Sequence, residues 1–465
     1  MESNVLQYIE KNRERHLEEL KNIIKIPSIS TLPDKKPDVL KAADFELAHF
    51  KKIGLENCRL LQTTGNPLVY GDWLHAKGAP TFLIYGHYDV QPPDPLDQWK
   101  SPPFEPTLRD GNLYARGATD DKGQYSTFLF AIEAWLKTAG KLPVNLKFVL
   151  EGEEEVGSTG ISKYVQEHAD LFKCDGVMVS DMPWFDENRP TISYSLKGLV
   201  YFEVAVKGPS HDLHSGLYGG MVTNPLHALS EILSKLKNKE GKILIPDFYD
   251  DVLPMTADEK KEIAGLNFDE KSTAKYLGVE ELVSEKDFSP LEANWTRPTL
   301  DVCGMWGGYT GVGSKTIIPA EARAKVSIRL VANQNPQKAQ KQFGDYVRSL
   351  CPHGVSVEVH NHSGGWPVHI ERNNAFLRAA ALAYEKGFGK KLVFKREGAS
   401  IPVVATFQSA LKVPMILVGL GLPDDGYHSP NEKIRLSNFY GGIKGAALAF
   451  EALKDVIPAK AGIQI

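Results

Sequence analysis

Four glutamates lie within five residues of one another, directly after an apolar segment of the chain. Glu151, Glu153, Glu154 and Glu155 follow residues 146–150. Like charges at this spacing raise one another's pKa values and destabilise a fold unless a positive charge lies between them. A solvated acidic turn is the common interpretation of such a run. The alternative is a divalent cation that these and other acidic residues share.

Further candidate ligands lie at the ends of other predicted elements. Each follows a strand-like segment or precedes a helix: His87, Asp89, Asp120, Asp121, Asp181 and His428. In open α/β sheets the active crevice lies beyond the carboxyl ends of the strands, so we expect these residues to meet at one edge. A mixed set of histidines and carboxylates without cysteine suits zinc, manganese or cobalt and is unlike a structural zinc site.

Alternating strand and helix patterns position these residues. Short apolar strands are predicted at residues 81–85, 146–150, 176–179 and 415–418. A helix is predicted at residues 122–138, where apolar side chains follow the helical period. Fully apolar strands that alternate with helices indicate an α/β domain with a mostly parallel central sheet.

A second pattern interrupts the first. Strands and helices between residues 198 and 365 follow the order β-α-β-β-α-β, which is ferredoxin-like, with a polar insertion at about 239–296. We therefore expect an α/β catalytic domain formed by residues 1–197 and 366–465, interrupted by an α+β lid or dimerisation domain at 198–365. Residues 458–465 are predicted to be a frayed tail.

Composition excludes several classes of function. A chain of 465 residues is long enough for two domains, and its net charge of −4 gives no reason to expect nucleic acid or an anionic membrane as a partner. No apolar run approaches the roughly 20 residues of a membrane helix. Four scattered cysteines predict buried free thiols in a reducing compartment, and thus a cytoplasmic protein.

Other catalytic motifs are missing from the sequence. It has no Gly-x-Ser-x-Gly nucleophile elbow and no His-Glu-x-x-His pair. The glycine-rich segment at 307–313 continues with Ser314 and Lys315, an order that does not match a P-loop.

Several ordered segments together resemble a known family. GHYDVQP, RGATDDKG, EGEEEVGS, the pair Ser180-Asp181 and GYHSPNE are similar to the co-catalytic metallopeptidases that include carnosinases, peptidases, aminoacylases and succinyl-diaminopimelate desuccinylase. The long insertion and the segments DLHSGLYGG, GSKTIIPAEA and SIRLVAN are most similar to the carnosinase-type dipeptidase branch. The resemblance covers nearly the whole chain.

The resemblance implies two divalent metal ions per subunit, zinc or manganese. Asp120 would bridge both ions, His87 and Asp181 would complete one site, and Glu155 and His428 the other. The residues alone do not choose among the adjacent glutamates, although neighbours in an extended segment point in opposite directions and can take different roles.

The resemblance also assigns roles around the metals. Glu154 matches the general base, and Asp89 matches an acid that hydrogen-bonds the far nitrogen of His87, although a turn cap is the alternative for Asp89. The bond between Asp120 and Asp121 is expected to be cis. The other two glutamates, Glu151 and Glu153, are expected to be either solvated acids or acids beside the site without a catalytic role.

Four further residues carry over as well, three of them in the second domain and Ser400 in the first. His214 matches a histidine that reaches the site of the partner subunit in a homodimer and stabilises the oxyanion. Arg329 matches the clamp for the substrate carboxylate, a bidentate task suited to guanidinium, with a solvated arginine as the alternative. Thr316 and Ser400 are further candidates for substrate contacts.

The predicted function is metal-dependent hydrolysis of dipeptides or short peptides, in which Glu154 transfers the protons. An N-acyl or N-succinyl amino-acid amidohydrolase on the same scaffold is the nearest alternative. A more distant one is a metal-binding scaffold that has lost catalysis.

Overall fold

A computed structural model describes residues 2–456, and the tail predicted at 458–465 lies outside the described residues. The described chain divides into two compact units. The first unit comprises residues 2–194, 370–395 and 402–456, and the second comprises 195–369 and 396–401.

The first part of the chain alternates helices with strands. Its elements are α1 (Glu2–Lys11), α2 (Arg13–Ile24), α3 (Lys36–Ile53), β1 (Glu56–Leu61), β2 (Leu68–Trp73), β3 (Thr81–His87), β4 (Thr107–Arg109), β5 (Asn112–Tyr114), α4 (Lys122–Ala139), β6 (Asn145–Glu151), α5 (Thr159–Glu167), α6 (Ala169–Phe172), β7 (Gly176–Pro183) and β8 (Thr191–Leu196).

The middle part contains the elements of the second unit. They are β9 (Gly198–Lys207), β10 (Leu213–His214), α7 (Ser215–Tyr218), α8 (Pro225–Ser234), α9 (Ala257–Gly265), α10 (Glu270–Leu277), α11 (Pro290–Thr296), β11 (Thr299–Gly307), β12 (Ile317–Ile318), β13 (Glu321–Leu330), α12 (Pro336–Ser349), β14 (Ser356–Gly365) and β15 (Val368–His369). The last part contains α13 (Ala375–Phe388), β16 (Val393–Arg396), α14 (Pro402–Leu411), β17 (Met415–Gly421), β18 (Lys433–Arg435) and α15 (Leu436–Leu453).

The main sheet of the first unit is mixed. Its strands run in the order β1-β2-β6-β3-β7-β17-β8. The four central strands, from β6 to β17, are parallel, whereas β1, β2 and β8 are added antiparallel at the two sides. The expectation of a mostly parallel sheet is therefore correct only for the centre, and the fold is a mixed α/β fold.

The central strands explain why their positions could be predicted. Every residue of β17 is buried, as is nearly every residue of β3 and β6. Parallel strands covered on both faces have continuous apolar sequences. Their carboxyl ends meet at one edge, where β3 ends at His87 and β6 ends at Glu151. Helix α4, predicted at 122–138, is confirmed at Lys122–Ala139 and packs against β3 and α15.

The second unit contains an antiparallel sheet in the order β11-β13-β9-β14. Helices α8 and α12 pack on this sheet around buried residues such as Phe202 and Phe343, whose rings stack with centroids 4.0 Å apart. The insertion at 239–296 is more ordered than its weak pattern indicates. It contains α9, α10 and α11, and capping boxes at Thr256 and Ser289 begin α9 and α11.

The four cysteines are free thiols. The expectation that they are buried is wrong, because Cys303 is exposed and Cys58, Cys174 and Cys351 are only partly buried. Among the described residues, none of the helices combines the length and the apolar character that crossing a membrane requires.

Candidate metal centre

His87 lies at the end of β3 and is fully buried. Its Nε2 atom is 3.1 Å from Oδ1 of Asp120. Its Nδ1 atom is 3.1 Å from the carbonyl oxygen of Asp89 and 3.4 Å from the Asp89 carboxylate. A histidine whose second nitrogen is held by a carboxylate or a carbonyl has a defined ring orientation, as a metal ligand requires.

Asp120 lies between two histidines. Oδ1 faces His87, and Oδ2 is 3.1 Å from Nε2 of His428. The peptide bond between Asp120 and Asp121 is cis, as predicted. The neighbouring carboxylate of Asp121 points elsewhere and accepts the backbone N–H of His87 at 3.2 Å. The two adjacent aspartates therefore have different surroundings.

His428 and Glu155 form a second group with Asp120. Nε2 of His428 is 3.2 Å from Oε2 of Glu155, which also accepts a hydrogen bond from Gln91 at 2.8 Å. His428 has a left-handed backbone with φ of 55° and lies in the loop between β17 and β18.

Two sets of potential ligands result, and Asp120 belongs to both. One set is His87, Asp120 and Asp181, and the other is Asp120, Glu155 and His428; within each set the ligand atoms lie within 4.8 Å of one another. The structure thus brings all five predicted metal ligands together in the first unit.

The electrostatics of this cluster favour cations. Burial raises the pKa of Asp181, and the charge of Asp120 adds to the effect. Burial, together with nearby carboxylates, raises the pKa of Glu154 to about 7. Hydrogen bonds to Asp120 and Glu155 raise the pKa of His428 to about 10. Negative charge is in excess here, and the mixed imidazole and carboxylate donors fit divalent ions such as zinc or manganese.

The glutamate segment forms a turn. Residues Glu154–Val156 adopt a 3-10 turn, so the expected extended conformation, with neighbours on opposite sides, is wrong. Glu155 nevertheless belongs to a ligand set and Glu154 to neither. The Asp89 carboxylate accepts the backbone N–H groups of Glu154 at 3.3 Å and Glu155 at 3.2 Å. It therefore connects this turn to His87.

Glu151 is not a solvated acid. Its residue is 1% exposed, and its carboxylate accepts hydrogen bonds from Tyr85 at 2.6 Å and Ser158 at 2.9 Å. Burial raises the pKa of Glu151 to about 8. Glu153 is partly buried, and backbone N–H groups of Asn66 and Gly160 contact its carboxylate. Of the two alternatives for these residues, the solvated acid is therefore wrong for Glu151, and the acid beside the site remains.

One residue at the centre was not predicted from the sequence. Glu432 is fully buried and accepts the backbone N–H of Asp120 at 3.0 Å and a hydrogen bond from Arg116 at 2.7 Å. Glu432 and Arg116 lie inside two segments that carry the family resemblance, GYHSPNE and RGATDDKG respectively. An arginine and a glutamate in two ligand-bearing segments are the sequence pattern that could have indicated this pair.

The remaining predicted residues form two pairs in the second unit. His214 is exposed, and its Nδ1 atom accepts the N–H of Gly216 at 3.0 Å. Strand β10 pairs with β12, and this brings His214 next to the segment that contains Thr316. Arg329 donates to Oγ of Ser400 at 2.8 Å. The Arg329 side chain is partly buried, and burial lowers its pKa.

Comparisons with known proteins identify the family. The model of peptidase family M20/M25/M40 matches residues 83–452. The chain is 34% identical to the Cys-Gly metallodipeptidase dug1 of Schizosaccharomyces pombe, over 97% of this chain and 98% of that protein. It is 35% identical to the human Beta-Ala-His dipeptidase, over 80% of this chain and 74% of that protein. The structure of the M20 family metallo-carboxypeptidase Sso-CP2 from Sulfolobus solfataricus matches with a TM-score of 0.85 and 33% identity, over 95% of this chain and 99% of that one. The chain therefore belongs to peptidase family M20/M25/M40.

Proposed function

We propose that the protein is a metallodipeptidase that hydrolyses dipeptides or short peptides with two divalent metal ions, zinc or manganese. The observation that carries the proposal is the pair of ligand sets that share Asp120. The similarity to a Cys-Gly metallodipeptidase and a Beta-Ala-His dipeptidase supports the same reaction.

In this proposal His87, Asp120 and Asp181 hold one ion, and Asp120, Glu155 and His428 hold the other. When bound, such an ion pair polarises the scissile carbonyl and lowers the pKa of a water molecule toward about 7. Glu154, outside both ligand sets, would accept a proton from the attacking water and then donate it to the leaving amine.

Asp89 has a positioning role in the proposal. Its carboxylate contacts the imidazole of His87 and accepts the backbone N–H groups of Glu154 and Glu155. A single carboxylate thus orients a metal ligand and the turn that carries the proposed base. Buried acids in such positions orient the ligand and raise its basicity.

For the second unit we propose a ferredoxin-like lid and dimerisation domain. The four strands of its sheet and the two helices packed on them follow the order β9-α8-β11-β13-α12-β14 along the chain. Support for a homodimer comes from β11, an edge strand on which Val302, Met305 and Trp306 are each more than 40% exposed. Exposed apolar edge strands favour pairing with another chain. In the homodimer His214 would act in the site of the partner subunit.

Arg329, Ser400 and Thr316 are proposed to bind the substrate. Arg329 makes no ion pair among the described residues and donates a hydrogen bond to Ser400, so its charge is available to a carboxylate. A planar guanidinium binds a carboxylate through two parallel hydrogen bonds, which favours substrates with a free carboxyl terminus. A cytoplasmic location is also proposed, supported by the four free thiols.

The test is a substrate panel with the metal-loaded full-length protein. Dipeptides, a tripeptide, a longer peptide, N-acetyl amino acids and N-succinyl amino acids are compared after loading with zinc or manganese, and again after treatment with a chelator. The longer peptide is included because one similar structure is a metallo-carboxypeptidase. We expect the highest kcat/KM with dipeptides and loss of activity on chelation. Preference for the N-acyl substrates, or hydrolysis that survives chelation, would contradict the proposal.

A further inference from the structure

The carboxylate of Glu432 holds the backbone of the segment that carries Asp120. One oxygen, Oε1, accepts the N–H groups of Thr119 at 2.8 Å and Asp120 at 3.0 Å. The other, Oε2, accepts the N–H of Gly117 at 2.9 Å and Nη1 of Arg116 at 2.7 Å. Four donors thus converge on one buried carboxylate, and three of them are main-chain groups within four residues.

Glu432 also belongs to the loop that carries His428. The main chain joins the same two segments, since the carbonyl oxygen of Glu432 accepts the N–H of Ala115 at 3.0 Å. Directly after it, β18 pairs with β5 through Lys433 and Tyr114. The loop that presents His428 and the segment that presents Asp120 are therefore joined by both the side chain and the backbone of one residue.

Arg116 compensates the charge of Glu432. Its residue is 1% exposed, and besides Glu432 it donates a hydrogen bond to the carbonyl oxygen of Pro92 at 3.1 Å. Pro92 follows Gln91, whose side chain donates to Glu155. A buried charge of this kind is tolerated when an opposite charge lies against it. The Nε atom of Arg116 has no hydrogen-bond partner among the described residues. The pair therefore adds no net charge to an acidic centre and connects a third segment to it.

We propose that Glu432 is a positioning residue for both metal ions: it holds the main chain at residues 117–120 so that the Asp120 carboxylate faces His87 and His428 together. The proposal rests on the proposed function, because it treats the two ligand sets as metal sites. Glu432 itself contacts neither of these histidines and is not a ligand. Because Asp120 belongs to both sets, its misplacement affects both ions.

Substitution with glutamine should break this arrangement with little change in volume. Each carboxylate oxygen of Glu432 accepts two donors. An amide nitrogen is itself a donor, so in either orientation it faces two donors and accepts from neither. If it lies at the Oε1 position, Thr119 and Asp120 lose their acceptor. If it lies at the Oε2 position, Gly117 and the buried Arg116 lose theirs.

Glu133 provides a matched control. It is also a buried glutamate of the first unit that pairs with an arginine, since it accepts hydrogen bonds from Arg15 at 2.9 Å and Tyr8 at 3.2 Å. Within the part of the chain that the structure describes, its carboxylate bonds to none of the five candidate ligands. Glu133→Gln should therefore reduce stability without moving Asp120.

The experiment is a titration of the metal-free full-length protein with cobalt(II), followed by visible absorption and by calorimetry. We expect the wild type to bind two ions. In Glu432→Gln the affinity for both ions should fall about 10–100-fold, the usual effect of losing a residue that orients metal ligands, and the cobalt spectrum should change. Glu133→Gln should bind both ions like the wild type. Thermal unfolding of the metal-free proteins measures how much stability each variant loses.

Three outcomes would overturn the proposal. In the first, Glu432→Gln binds both ions with the affinity and spectrum of the wild type. In the second, the two glutamine variants lose cobalt affinity equally, which makes the effect one of general stability. If Glu432→Gln does not fold, Glu432→Asp is measured instead, because its side chain is one methylene shorter and its carboxylate cannot reach all four donors. The third outcome is that Glu432→Asp binds cobalt with the affinity and spectrum of the wild type. A wild type that binds two ions but hydrolyses no peptide would refute the proposed function and leave this inference standing.

Discussion

Glu154→Gln and Glu155→Gln are adjacent substitutions with opposite expected effects. The Glu154 side chain makes no hydrogen bond or ion pair with any described residue, and its charge is repelled by Glu155 and Asp120. Glu155, by contrast, accepts a hydrogen bond from Gln91 and lies 3.2 Å from His428. The first substitution removes a proposed proton carrier, and the second removes a proposed ligand.

The magnitudes follow from these contacts. A positioned general base contributes about 10²–10⁴-fold to the rate, which is about 2.7–5.4 kcal/mol of activation free energy. We expect kcat of Glu154→Gln to fall by that factor while both ions stay bound, because Glu154 belongs to neither ligand set. Stability of the metal-free protein should be unchanged or higher, since no partner is left unsatisfied and one repelling charge is removed. Glu155→Gln should bind one ion instead of two.

The assay combines steady-state hydrolysis of a dipeptide with metal analysis of the same protein samples. Elemental analysis after gel filtration gives the number of ions per subunit, and thermal unfolding of metal-free samples gives the stability. If Glu154→Gln keeps kcat within a factor of ten while retaining both ions, Glu154 is not the base. If it loses an ion and Glu155→Gln does not, the roles of the two glutamates are exchanged.

Three further changes test other parts of the molecule. Burial raises the pKa of Glu133, but His16 at 3.6 Å and the hydrogen bond from Arg15 outweigh it and lower the pKa from 4.5 to about 2. Glu133→Gln should therefore lower the free energy of unfolding by about 1–3 kcal/mol at pH 7. Urea denaturation should show that this loss becomes smaller as the pH falls from 4.5 toward 2. A loss that does not depend on pH would contradict the pairing. Trp306→Glu places a charge on the exposed edge strand and should halve the mass measured by sedimentation, and an unchanged mass would argue against this interface. Arg329→Lys should raise KM for dipeptides about tenfold, which is a loss of about 1.4 kcal/mol of binding free energy. It should leave KM for dipeptide amides unchanged. An equal rise of KM for both kinds of substrate would exclude a carboxylate clamp.

The buried centre of the fold was predictable because burial on both faces imposes a simple pattern. The strands at residues 81–85, 146–150, 176–179 and 415–418 are all found, and so is the helix predicted at 122–138. The outer strands gave no such pattern. In β1 most residues are exposed or partly exposed, so its apolar residues are too few to indicate a strand. The antiparallel additions that make the sheet mixed were therefore not predicted.

Local conformation at the candidate site was less predictable than the positions of its residues. The turn at Glu154–Val156 depends on N–H groups accepted by Asp89, a residue about 65 positions earlier in the chain. Likewise the short helices of the insertion are mostly polar and are stabilised at their first turns by capping side chains, such as Thr256. Both features depend on side-chain hydrogen bonds to the backbone, which apolar periodicity does not record.

The acidic residues of the centre divide into two groups. Both consist of carboxylates, but the two groups differ in the atoms that these carboxylates face. Asp89, Asp121 and Glu432 accept main-chain N–H groups, those of the glutamate turn, of His87 and of Asp120 respectively. The carboxylates of the two ligand sets instead face imidazoles and one another. The N–H groups of Glu154, His87 and Asp120 each belong to a proposed ligand or to a residue beside one, so the first group orients the second. Both groups add negative charge, and the charge of Glu432 is compensated by the buried guanidinium of Arg116 directly against it. Two divalent cations would therefore offset charge from orienting and ligating carboxylates alike, which explains how a strand can end in four glutamates.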